Sequence, residues 1–181
     1  MSLKPDSQRE AVYRWERSLP QYEEHGSMSL RECEALVARV WADYRPGRSV
    51  PTIGDGRRTR RGLAYTWDNR MSLPRWARSP LVVLHESAHL LLPSDEKHGP
   101  AFATLCLELW ARYIDGFDKV AARKAGIAQR PRRVHFATAS ATPQPKSRAY
   151  REWQKELARL HAAESAASQA RRAHELTRPK R

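Results

Sequence analysis

His85, Glu86, His89 and His98 fall within one stretch, Leu81 to Phe102, which reads LVVLHESAHLLLPSDEKHGPAF. Three of the seven histidines therefore lie within fourteen residues. On a helix, His85 and His89 stack on one face about 6 Å apart. Two imidazoles at that separation can reach one metal ion, and zinc suits them because it takes neutral imidazole nitrogen at roughly 2.0–2.1 Å. Glu86 sits beside the first ligand and can take a proton from a water that the metal activates. A catalytic zinc ordinarily has three protein ligands and an open position. His98 is the choice for the third, because eight residues separate it from His89, enough to leave the helix at Pro93, turn and return. Asp95, Glu96 and Glu108 are weaker candidates, the first two because loop carboxylates are usually solvated.

A blander reading competes. Composition alone would give HExxH in roughly 2 per cent of such chains, and a lone histidine on an apolar face is usually a satisfied core residue. The surroundings weigh against it. Apart from His85, Glu86, Ser87 and His89, every residue from Leu81 to Leu92 is apolar. Burying two imidazoles and a carboxylate there without partners would be costly.

The elements that must position these groups have marked ends. Ser79 is an N-cap and Pro80 fits the first helical position, while Pro93 stops the run. A second helix is predicted to begin at His98-Gly99-Pro100 and to carry Phe102, Leu105, Cys106, Leu109 and Tyr113 on one face, closing at Asp115-Gly116. Upstream, Ser29-x-x-Glu32 is a capping box, and Leu30, Cys33, Leu36, Val37, Val40, Trp41 and Tyr44 form the apolar face of a helix ending near Pro46-Gly47. Ser7 to Leu19 is a shorter helix whose docking the sequence leaves open. Three short strands are predicted at Ser49–Ile53, Gly62–Trp67 and Arg70–Leu73, with Asp68-Asn69 as a tight turn and Arg57, Arg58, Arg60 and Arg61 as a basic loop. Phe117 to Ala125 reads as a further short helix ending at Gly126.

With HESAH followed by HGPAF, the chain resembles the SprT-like zinc metallopeptidases, in which an HExxH helix is followed by a His-Gly-x-x-aromatic segment. It is more similar to a family of small metallohydrolases of actinobacteria and their phages, which share the short spacing and a segment like Leu73-Pro74-Arg75-Trp76-Ala77-Arg78. The resemblance covers about Cys33 to Tyr113. It implies that His85, His89 and His98 are the metal ligands and Glu86 the catalytic glutamate. It also implies a zincin fold, with the Ser29 helix backing the sheet and an extended substrate bound along the strand that precedes the active helix. The linker from His89 to His98 is shorter than in typical SprT proteins, and no cysteine-rich zinc ribbon follows.

The chain has 181 residues and a formal net charge of +13. Residues 121–181 hold 15 Lys/Arg against 4 Asp/Glu, whereas residues 1–120 hold 18 against 16. The basic end suggests contact with nucleic acid or another polyanion. A competing explanation is base composition, since 26 Arg against 7 Lys fits a GC-rich genome. That bias does not account for the asymmetry along the chain. Cys33 and Cys106 each fall on the apolar side of a predicted helix, so core thiols are expected, and the first ten residues carry no signal-peptide pattern. Both point to a cytoplasmic protein, and no run is long enough to span a membrane.

The expected fold is α+β: a zincin-like minimal metallopeptidase with a small twisted sheet packed by helices, HExxH on a central buried helix and a basic, partly disordered C-terminal tail. The division is residues 1–28 as an N-terminal helix and loop, 29–126 as the catalytic domain, 127–147 as a linker and 148–181 as a basic helix or tail. The expected function is Zn2+-dependent hydrolysis of a peptide bond in a protein or peptide substrate. Tyr65, Tyr113 and Arg112 are the candidates to stabilise the oxyanion. The alternative is a nucleic-acid-binding protein with a structural or inactive metal site, acting through its basic tail.

Overall fold

Two N-caps set the frame of the molecule. Ser29 accepts from the Glu32 amide at 3.3 Å while Glu32 takes the Ser29 amide at 2.7 Å, which starts α2, Leu30–Tyr44. Ser79 accepts from the Val82 amide and Pro80 follows it, which starts α3, Pro80–Leu91. The computed structural model describes residue 6 and residues 8–23, 28–57 and 65–137. The remaining helices there are α1 (Arg9–Arg17), α4 (Pro100–Tyr113) and α5 (Lys119–Ala128), with short 3₁₀ turns at Pro20–Glu23 and Arg75–Ala77. Strands β1 (Thr52–Gly54), β2 (Tyr65–Trp67) and β3 (Arg70–Ser72) form one sheet. This is a small α+β fold, and among the described residues no helix is long and apolar enough to cross a membrane.

The sheet order is β1-β3-β2, with β1 parallel and β2 antiparallel to β3. Asp68 and Asn69 both take positive φ, 47° and 55°, the backbone that a two-residue hairpin turn requires. Strand β1 starts three residues later than the sequence suggests, and β3 stops one residue earlier. Ile53 and Met71 face each other across the parallel pair and are buried. Helix α3 packs against α2, α4 and β2. Its Leu81, Val83, Leu84 and Ala88 are fully buried, as an almost wholly apolar helix requires. Arg45 donates to the Leu91 carbonyl at 2.8 Å, so a cation meets the C-terminal end of α3.

Helix α1, whose docking the sequence leaves open, is part of the same core. Val12 and Trp15 are fully buried. The Trp15 ring lies 5.0 Å from that of Trp110, and its Nε1–H donates to the Ala122 carbonyl at 2.7 Å. Residues 129–137, expected to open the linker, lie against this helix. Val134 is buried, Phe136 meets the Trp15 ring edge-on at 5.2 Å, and the Gln8 side chain bonds both backbone groups of His135. Gly126 does not end α5 as expected; the helix runs through it. A Cβ there would lie 2.9 Å from the Phe136 ring and 3.2 Å from Trp15 Nε1, so the glycine lets three elements approach closely. The Arg58–Arg61 loop, the start of the second predicted strand, the rest of the linker and the tail at 148–181 lie outside the described residues.

Because α1 shares the core, Trp15→Ala should cost about 3–5 kcal/mol, as for other buried Trp truncations. Urea unfolding followed by circular dichroism should show one cooperative transition at a lower midpoint. A separate early transition would mean that α1 is only appended.

Candidate metal centre

Three imidazoles converge where α3 ends and α4 begins. His85 and His89 come from α3, and His98 stands two residues before α4. One ligand atom from each lies within 4.8 Å of the other two, so the three could hold a metal ion. Their ring centroids are 5.0 Å (His85–His89), 5.4 Å (His85–His98) and 4.8 Å (His89–His98) apart. Phe102 forms the floor, stacked on His89 at 4.3 Å and edge-on to the other two. The loop that carries His98 is tied to α4 by Glu96, whose carboxylate accepts from the Ala101 amide at 2.9 Å.

The second nitrogens of two rings are committed. His85 Nδ1 meets a Glu16 carboxylate oxygen in a short hydrogen bond, and His98 Nδ1 meets Asp6 Oδ2 at 2.8 Å. An ionised carboxylate only accepts, so each Nδ1 donates, and in the neutral form of each ring it is Nε2 that keeps the lone pair. A carboxylate behind a histidine is how metal-ligating imidazoles are oriented and made more basic. His98 Nε2 is buried with no hydrogen-bond partner among the described residues. Buried polar atoms are seldom left so, and a metal ion would satisfy this one. The residues therefore fit a divalent ion that takes imidazole.

Electrostatics favour the ligating forms at two positions. Burial, with His85 and His98 beside it, lowers the pKa of His89 to about 2. Burial and His85 also lower that of His98, against the pull of Asp6. At His85 burial works the same way, but the charge and hydrogen bond of Glu16, with Glu86 near, outweigh it and raise the pKa. Metal binding at His85 must therefore displace a proton in competition with Glu16. Burial pushes Glu86 up to about 7, with His85 opposing.

Glu86 lies between two cavities. One, of about 530 Å³, is lined by His89, His98, Tyr65 and Thr66 among others; the second, of about 240 Å³, is lined by His85, Tyr22, Trp76 and Val82. Glu86, Tyr13 and Arg9 line both. Of the oxyanion candidates, only Tyr65 is there. Arg112 and Tyr113 both bond Asp43 Oδ2, at 2.6 Å each, and line neither cavity. The weaker ligand candidates are placed elsewhere: Glu96 caps α4, Glu108 pairs with Lys119 at 2.6 Å, and Asp95 is exposed. Glu16, His85 and Cys106 form a second close cluster. Burial drives the Cys106 thiol far above its ordinary pKa, so it stays protonated, and Glu16 already serves His85.

Sequence reading assigns nothing to Asp6, Arg9, Tyr13 or Glu16, yet all four face the imidazoles or the cavities. A signal existed. Their spacing of three, four and three is one face of a helix, and Glu16 sits among the buried residues Ala11, Val12 and Trp15.

Loss of a carboxylate behind a ligand should weaken the site. Asp6→Ala should lower zinc affinity about 10–100-fold in competition with a chelator, with the fold unchanged. A second expectation concerns pH. In metal-free protein the raised Glu86 pKa contributes stability that is full below about 4.5 and lost as the pH rises through about 7. In chelator-treated protein, Glu86→Gln should raise the Tm near pH 8, and the gain should shrink toward about pH 5. An equal gain at both pH values would contradict the buried charge. No protein-family model, curated protein or solved structure matches the chain, so what the site does rests on its own residues.

Proposed function

We propose that the chain is a zinc-dependent metallohydrolase, a metallopeptidase of zincin type similar to the SprT-like enzymes. The observation that carries this reading is the convergence of His85, His89 and His98 beside Glu86 at the meeting of two cavities, with carboxylates behind two of the rings. His85, His89 and His98 would hold the ion. Zinc, when bound, would supply Lewis acidity that activates a water and polarises the scissile carbonyl. Glu86 takes a proton from the attacking water as its oxygen adds to the carbonyl carbon. It then gives that proton to the amine nitrogen as the C–N bond breaks. Among the described residues three imidazoles and no fourth ligand converge there, bordering a cavity, which favours a catalytic over a structural ion.

A peptide substrate is supported by β2. This strand ends the sheet order, and its Tyr65 and Thr66 line the larger cavity, so an extended chain could add along it. Two buried free cysteines are in keeping with a cytoplasmic protein. The alternative, nucleic-acid binding through the basic end, rests on charge alone: 15 Lys/Arg against 4 Asp/Glu after residue 120.

The test uses zinc-loaded full-length chain and a fluorescence-quenched peptide library. Glu86→Gln should retain one zinc per chain and lose about 10²–10⁴-fold in cleavage rate. Cleavage that is indifferent to Glu86→Gln would overturn the reading.

A further inference from the structure

Hydrolysis of an amide places negative charge on the former carbonyl oxygen, and a hydrogen-bond donor aimed at that oxygen is worth a large part of the rate. Neither Arg112 nor Tyr113 lines the cavities, and Tyr65 is about half exposed at the rim. We infer that Tyr13 is the oxyanion donor and that Arg9 is a positioning residue that keeps the phenol proton available to substrate; this rests on the zinc hydrolase reading above.

Tyr13 stands on α1, three residues before Glu16. Its ring is stacked on His85 at 5.8 Å with an interplanar angle of 21°, and meets His98 edge-on at 5.0 Å. It therefore lies over two of the three imidazoles. It lines both cavities, as Glu86 does, so a peptide bond placed against Glu86 lies beside the phenol as well. The Arg9 guanidinium lies 5.4 Å from the centroid of the Tyr13 ring. Guanidinium has donors and no acceptor, so Arg9 cannot engage the phenol O–H. The single O–H proton is thereby left for another partner, and the adjacent cation strengthens it as a donor.

The step needs no proton from Tyr13. As the water oxygen adds to the carbonyl carbon, the C=O electron pair moves to oxygen and the Tyr13 O–H bond points at it. When the C–N bond breaks, the carbonyl reforms and the hydrogen bond weakens. Glu86 alone carries the transferred proton.

The test compares wild type, Tyr13→Phe, Arg9→Ala and Arg9→Lys as full-length, metal-loaded chains. Tyr13→Phe should leave zinc stoichiometry and affinity unchanged and lower kcat about 10²–10³-fold with little change in KM. Arg9→Ala should lower kcat about tenfold and Arg9→Lys should restore most of it. A readout without turnover uses cobalt-substituted protein, titrated by visible absorption with methylphosphonate, a tetrahedral oxyanion, and with imidazole, which offers none. Tyr13→Phe should weaken methylphosphonate at least about tenfold and leave imidazole unchanged. Equal weakening of both probes, unchanged methylphosphonate affinity, or loss of zinc in Tyr13→Phe would overturn the inference. A wild-type chain that takes up no zinc would instead overturn the reading it rests on.

Discussion

The hydrogen bonds from His85 to Glu16 and from His98 to Asp6 are the constraint on which the rest of the molecule depends. Three imidazoles and a glutamate inside an apolar helix pair would be a heavy burden on the fold if left alone. The two carboxylates relieve part of it by accepting hydrogen bonds from the Nδ1–H groups, and they fix which nitrogen of each ring faces the site. Neither comes from the helix that bears the HExxH sequence. Both belong to the N-terminal segment, so the site has its shape only when α1 is docked.

That explains the investment in holding α1. Trp15 is clamped between Trp110 and Phe136 and bonded to a carbonyl of α5, and Gly126 gives way so that the three can meet. Residues 129–137 then close over α1 from the outside through Gln8 and Val134. Chain segments more than a hundred residues apart are thus locked together around the histidines. The polarity of the site follows from the same arrangement. The Nδ1 edge of His85 faces the buried Glu16 and that of His98 the partly buried Asp6, while Glu86 and His89 are turned toward the cavities. Burial, with His85 and His98 beside it, lowers the pKa of His89 to about 2, whereas Glu16 raises that of His85.

Much of this was legible in the sequence, and the limits are physical. Local signals held: the Ser29 box, Ser79-Pro80 before α3, Pro93 after it, the Asp68-Asn69 turn, and His98 at the mouth of α4. Each depends on residues within a few positions of one another. Pairings at long separation were not legible. Glu16 and His85 are 69 residues apart, Asp6 and His98 92 apart, and nothing in a three-residue apolar repeat says which surface it will cover. Strand alternation likewise did not disclose that β1 pairs in parallel with β3. Arg112 and Tyr113 lie near the site in sequence but turn to Asp43 on α2, because α4 has two faces and the histidines occupy the other. Glycine is ambiguous from sequence alone: Gly126 is read as a stop and serves as a contact.

The most direct measurement is X-ray absorption at the zinc edge of the purified, zinc-saturated chain. The fit should give three imidazole nitrogens at about 2.0–2.1 Å and one further light ligand. A folded chain that takes up no zinc, or a sulfur scatterer at about 2.3 Å placing the ion at Cys106, would contradict the site.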